Sequence, residues 1–118
     1  MIHIHSEGNI IYSEAVGQLD DNDYDQLIPL LQEKIRSHGT IRWYFEMRDF
    51  KGWSLSPLWR DMKFDFSNRE RLEKVAMVGE ERWEHELTRL MQIFASGEIR
   101  FFSLQQQQEA RRWIQSAG

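Results

Sequence analysis

Two histidines, His3 and His5, alternate with Ile2 and Ile4 at the start of the chain. On a strand that spacing turns both imidazoles to one face, which is the beginning of a metal site. The set stays incomplete: no further His or carboxylate follows at ligand spacing, and His38 and His85 fall in other elements. A solvated strand face is the expectation, with no metal and no cofactor assigned. Glu84-His85-Glu86 lacks the second His four residues on that a zinc-protease helix requires. Glu46, Arg48 and Asp49 bring acid and base to one strand end. Nothing beside them supplies a nucleophile, an orienting base or an oxyanion nest. Asp49 therefore reads as a turn residue or as a partner of Arg48 or Lys51. Gly52 stands alone and makes no phosphate loop. No catalytic residue is assigned, and binding rather than catalysis is expected.

The bulk numbers narrow the classes further. A chain of 118 residues suits one domain, taken as 1–118. Its 41% hydrophobic and 29% charged residues are ordinary for a soluble protein, whereas five Trp and a 13% aromatic fraction are high. Apolar runs are too short for a transmembrane helix, and the first residues lack the basic start and apolar core of a signal peptide. A cytoplasmic location is expected, and the lack of cysteine agrees with it. Net charge is −4, and the pairs Arg69/Arg71 and Arg111/Arg112 are flanked by Glu70, Glu73 and Glu109. No basic face emerges, so nucleic acid is excluded as a partner and these arginines read as solvated charge.

The elements that position these residues follow from periodicity. Ile2–His5 and Ile10–Val16 flank the turn pair Gly8-Asn9 and make a hairpin. Leu19-Asp20 reads as a staple residue and an N-cap, and Tyr24, Leu27, Ile28, Leu31 and Ile35 form a helical stripe stopped at His38-Gly39. Pro29 should kink that helix or mark a distorted first turn. From Ile41 the apolar Ile41, Trp43, Phe45 and Met47 alternate with Arg42, Tyr44, Glu46 and Arg48, a strand with unequal faces. A second helix starts at Ser56-Pro57, where Ser caps and Pro suits the first turn. Arg71–Val78 is the next strand. Glu80, Glu81 and Glu84 suit the start of a third helix, with Trp83, Leu87, Leu90, Met91 and Phe94 on its stripe and Gly97 at its end. Ile99–Phe102 is the fifth strand, and Ser103 with Gln106 forms a capping box for a last helix that buries Ala110, Trp113 and Ile114. The order ββαβαβαβα gives an α/β fold: a five-stranded, mostly parallel sheet with one antiparallel strand, flanked by helices.

The helix opened by Pro57 carries more apolar surface than one core contact needs. Leu55, Leu58, Trp59, Met62 and Phe66 share a stripe, while Trp53 and Phe64 fall off it. Trp83, Leu87 and Met91 stand as the opposite wall. The expected site is a pocket between the second and third helices, beyond the carboxyl ends of the strands, where open α/β sheets bind ligands. Trp53, Leu55, Trp59, Met62, Phe64, Phe66, Trp83, Leu87 and Met91 are its candidate residues, and an apolar or lipid-like small molecule is the expected ligand. Lys51, Arg60 and Lys63 would face anionic headgroups in weak peripheral membrane contact, diluted by Asp61 and Asp65.

The stretches Gly17–Arg42, Asp49–Trp53, Leu58–Phe64, Lys74–Glu84 and Ile99–Ile114 together resemble the SpoIIAA-like family, bacterial proteins of the STAS (anti-sigma-factor-antagonist) fold type. The resemblance runs in order from Asp23-Tyr24 through Pro29, Gly52-Trp53, Trp59, Asp61, Lys63-Phe64, Val78-Gly79, Trp83 and Ala110 to Trp113. It implies a sheet with one antiparallel strand and flanking helices. Anti-sigma antagonists carry a phosphorylatable Ser in an Asp-Ser-Ser-Gly turn. Here the turn reads Asp49-Phe50-Lys51-Gly52-Trp53-Ser54-Leu55-Ser56-Pro57, with Ser54 and Ser56 near the place and the tetrapeptide absent. The resemblance implies an alternative to the ligand pocket: a regulatory protein partner docked on the same surface, with Ser54 or Ser56 as a phospho-switch. Lipid-carrying CRAL-TRIO domains offer a fold-level analogy for an apolar pocket beside the sheet. Homodimerisation is a third way to cover that surface.

Overall fold

A computed structural model describes residues 1–52, 72–86, 88–89 and 97–116. Its centre is a five-stranded sheet in the order β1-β2-β3-β4-β5, built from β1 (Ile2–Glu7), β2 (Ile10–Val16), β3 (Ile41–Arg48), β4 (Leu72–Gly79) and β5 (Glu98–Ser103). β1 and β2 form the antiparallel hairpin, and β2, β3, β4 and β5 run parallel. The mixed α/β sheet is the one the sequence pattern predicts. Two helices are described over their full length, α1 (Asp21–His38) and α2 (Gln107–Gln115). The helix predicted from Pro57 lies outside the described residues.

Alternation along β3 decides which face each residue serves. Trp43, Phe45 and Met47 point to the face carrying α1, where Leu27, Ile28, Leu31 and Ile35 join them in the larger core. The opposite face is packed only in part: Tyr44, Ala76, Val78 and Phe102 meet Ala110 and Ile114 of α2. β4 is buried on both faces, which is why Val75-Ala76-Met77-Val78 reads as an unbroken apolar run. Two polar groups inside the larger core are matched in a chain: Trp43 Nε1 donates to Ser13 Oγ at 2.8 Å, and Ser13 donates to the Tyr44 carbonyl at 3.3 Å.

Local signals hold the elements in place. Asp20 caps α1 in a reciprocal box with Asp23, whose carboxylate accepts from the Asp20 N–H at 2.9 Å. Gly39 ends the helix at φ 84°, its N–H donating to the Ile35 carbonyl at 2.8 Å. Pro29 lies inside α1, well past the first turn, so it is no first-turn residue. Ser103 N–H donates to Gln106 Oε1 at 2.9 Å, the predicted capping box, and a single 3-10 turn (Leu104–Gln106) leads into α2. Of the three residues expected to be buried there, Ala110 and Ile114 are and Trp113 is partly buried.

Two cations, buried Lys74 and partly buried Arg42, fix the far end of α2. Lys74, 2% exposed, donates to the Trp113 carbonyl, the Ser116 carbonyl and Ser116 Oγ at 3.0–3.3 Å. Its three ammonium donors thus have three acceptors. Arg42 donates to the Ile114 carbonyl at 2.9 Å and to the Ser116 carbonyl, and its other side pairs with Glu73 at 3.2 Å. Positive charge at a helix C-terminus is where the dipole favours it.

Candidate functional site

At the carboxyl ends of β3 and β4 the chain leaves the sheet through two loops. Asp49 follows β3 with φ 48°, left-handed backbone that Asp tolerates better than most residues. It is the turn residue the sequence suggests, while Arg48 takes Glu46 as its partner at 2.7 Å. The turn is laced to the start of α1: Lys51 N–H donates to the Gly17 carbonyl and Leu19 N–H to the Gly52 carbonyl, both at 3.0 Å. Buried Phe50 points inward, and Trp83 stands edge-on to it at 5.0 Å with an interplanar angle of 73°. Gly52, at φ 95°, passes beside the indole, where a β-carbon would make ordinary contact with Trp83 Cη2 at 3.6 Å.

Trp83 is partly buried against the larger core, at the end of a single 3-10 turn (Glu81–Trp83) that follows β4. Arg82 lies over its ring at 5.5 Å and pairs with Glu80 at 3.1 Å. The helical conformation expected here continues through residues 84–86 and 88–89. Of the nine predicted pocket residues, Trp83 is the one whose surroundings are described. Trp53, Leu55, Trp59, Met62, Phe64, Phe66, Leu87 and Met91 lie outside the described residues, as do Ser54 and Ser56.

A second concave place lies on the other face of the sheet. α2 covers the β3-β4-β5 half, and over β1, β2 and β3 the register builds two side-by-side rows. His3, Glu14 and Glu46 form one row, and His5, Tyr12 and Tyr44 form the other. With Arg111 from the flank of α2 these residues line a cleft of about 90 Å³. His5 stacks on Tyr12 at 4.9 Å and 11°. The Arg111 guanidinium lies over both tyrosine rings, 4.8 Å from Tyr44 and 5.5 Å from Tyr12. Gln115 donates to the Tyr12 hydroxyl at 2.9 Å.

Glu46 is 2% exposed and both of its oxygens are engaged, Oε1 by the Tyr44 hydroxyl and Oε2 by Arg48 Nε, each at 2.7 Å. Burial, then the hydrogen bond to Glu46 and its charge, push the Tyr44 phenol above the ordinary tyrosine range, against a lowering pull from Arg111. Tyr44 therefore remains a donor at neutral pH and is no base. The hydrogen bond to Glu46 and its charge raise the proton affinity of the Arg48 guanidinium in turn. Glu46 is thus engaged by Tyr44 and Arg48 rather than by Asp49.

The sequence reading keeps His3 and His5 on one exposed face, as observed, and misses the carboxylates beside them. Glu14 and Glu46 arrive through strand register, not through ligand spacing along the chain. Among the described residues no cluster of three or more His, Asp or Glu is arranged to hold a metal ion. Arg112 is exposed, as solvated charge would be, whereas its neighbour Arg111 lies on two aromatic rings. The alternating polar set of β3 was the one sequence signal for this cleft.

A family model described as SpoIIAA-like matches residues 10–115. Among solved structures the chain is similar to an uncharacterized protein of the DUF3478 family with a SpoIIAA-like fold from Shewanella loihica PV-4. The TM-score is 0.70 at 27% identity, over 97% of this chain and 92% of that chain. No curated protein matches. No described helix is long and apolar enough to cross a membrane.

Proposed function

The chain belongs to the SpoIIAA-like family, and on that premise we propose that it is a non-enzymatic interaction module of the STAS type. A regulatory protein partner docks at the carboxyl ends of β3 and β4. One observation carries this reading: Trp83 stands partly exposed on a rigid seat, its ring held by buried Phe50 and by a loop hydrogen-bonded to the start of α1. Amphipathic aromatics pre-set by their surroundings lose little freedom on binding and are the commonest anchors of protein interfaces. Ser54 and Ser56, a few residues along the chain from Phe50 and Gly52, are the proposed phosphorylation positions.

The test is co-purification from the native host with wild type, Trp83→Ala, Arg82→Glu and Arg112→Glu. A partner retained by wild type and Arg112→Glu, and lost about tenfold or more by the Trp83 and Arg82 variants, supports the reading. Arg82 is exposed, and an unchanged unfolding temperature in Arg82→Glu separates loss of partner from a folding defect. Equal retention by all four proteins refutes it.

A second reading uses the same place. Strand carboxyl ends are where open α/β sheets hold ligands, and the Phe50–Trp83 pair supplies apolar wall there. An apolar or lipid-like molecule would sit against Trp83. Native mass spectrometry of freshly purified protein decides it: a co-purifying mass displaced in Trp83→Ala supports this reading, and a bare chain mass ends it.

A further inference from the structure

We propose that the cleft on the α2 face of the sheet is a binding site for a small oxyanion, a single carboxylate or phosphate group, with Arg111 as its principal charge. Among the described residues, Arg111, His3 and His5 lack an anionic partner. The two carboxylates of the cleft already have partners: Glu46 is engaged at both oxygens by Tyr44 and Arg48, and Glu14 lies 3.8 Å from Arg48 Nε. The donors do not. Among the described residues no carboxylate lies within ion-pair distance of Arg111, and no hydrogen bond engages the imidazole of His3 or His5. The Tyr12 hydroxyl accepts from Gln115, which leaves its own proton free to donate.

Geometry sharpens the class of ligand. Arg111 is held over Tyr12 and Tyr44 at 5.5 and 4.8 Å, and a guanidinium presents a planar fork that matches a carboxylate or phosphate. His3 and His5 project from the same face of β1, beside the rows that Arg111 overhangs. A volume of about 90 Å³ admits one polyatomic anion and is well below the roughly 300–1,000 Å³ of pockets for drug-sized ligands. Glu14 and Glu46 both oppose the anion; Glu46 is held by Tyr44 and Arg48 at 2.7 Å, so the more loosely paired Glu14, 3.8 Å from Arg48, is the one whose removal should help.

The experiment is a titration of the isotope-labelled protein with sodium phosphate and, separately, sodium acetate at constant ionic strength, read as amide shifts with sodium chloride as the control. Saturable shifts at residues 3, 5, 12, 44 and 111, absent with chloride, are expected. Arg111→Gln should weaken binding at least tenfold, Arg111→Lys by less, and Glu14→Gln should tighten it a few-fold. Tighter phosphate than acetate assigns a phosphoryl ligand, and the reverse assigns a carboxylate. Shifts that never saturate, that match those of chloride, or that survive Arg111→Gln unchanged would overturn the proposal. Arg111 is exposed, and the Arg111→Gln spectrum in the absence of anion reports whether the fold is kept.

Discussion

Tyr24 is pushed up to about 12 by burial first and by the Asp23 charge second. An unfolded tyrosine releases its proton near pH ~10. Above that pH the unfolded chain loses a proton that the folded chain keeps, so the stability tied to Tyr24 is complete below pH ~10 and declines toward pH ~12. The wild type should lose on the order of 2 kcal/mol over that window on this account, with Tyr44 acting in the same direction. Urea unfolding at about pH 8 and about pH 11 should show a smaller loss in Tyr24→Phe than in wild type; equal losses would contradict the assignment. At this scale the sequence was informative wherever a residue acts on its own backbone. Asp20, Gly39 and the Ser103/Gln106 pair could be read directly, because a cap depends on neighbours within four residues. Arg111 could not, since its meaning depends on two tyrosines brought to it by the sheet.

Between elements, the least obvious arrangement is the end of α2. Arg42 and Lys74 come from adjacent strands and converge on the carbonyls of residues 113–116. Each such charge-assisted bond contributes on the order of 1.5–3 kcal/mol. Lys74→Met should therefore loosen the last turn of α2 and raise amide exchange at residues 113–116 by roughly tenfold or more, with little change in α1. Uniform acceleration throughout the chain would mean that Lys74 supports the sheet as a whole. Strand parity in β3 was fully legible, because Trp43, Phe45 and Met47 are apolar at every second position. The irregularity where Ile41 pairs with Leu72 and Arg42 with Lys74 was not. An extra residue, Glu73, turns Leu72 to the α1 face, and nothing in the local residue types announces it.

At the level of the molecule, one glycine ties the last strand to the sheet. Gly97 packs so tightly against β4 that a β-carbon would lie 2.1 Å from the Glu73 carbonyl oxygen. Gly97→Ala must move backbone and should cost upward of about 2 kcal/mol. Gly8→Ala meets no neighbour and pays only for its positive φ, about 1 kcal/mol. Thermal unfolding of the two variants checks the ranking, and equal shifts would contradict it. The element order and the family could be read from the chain, since periodicity and an ordered series of residues run its length. The cleft under Arg111 could not, because its parts are spread along the chain from His3 to Arg111, 108 positions apart, and meet only through register. At the carboxyl ends of β3 and β4, Trp83 rests on Phe50. A photo-reactive amino acid placed at Arg82 in living cells, with Arg112 as the control position, measures directly what approaches that indole. A discrete adduct with another protein, formed from position 82 and abolished by Trp83→Ala, is the predicted result; no adduct, or the same adducts from both positions, would contradict it.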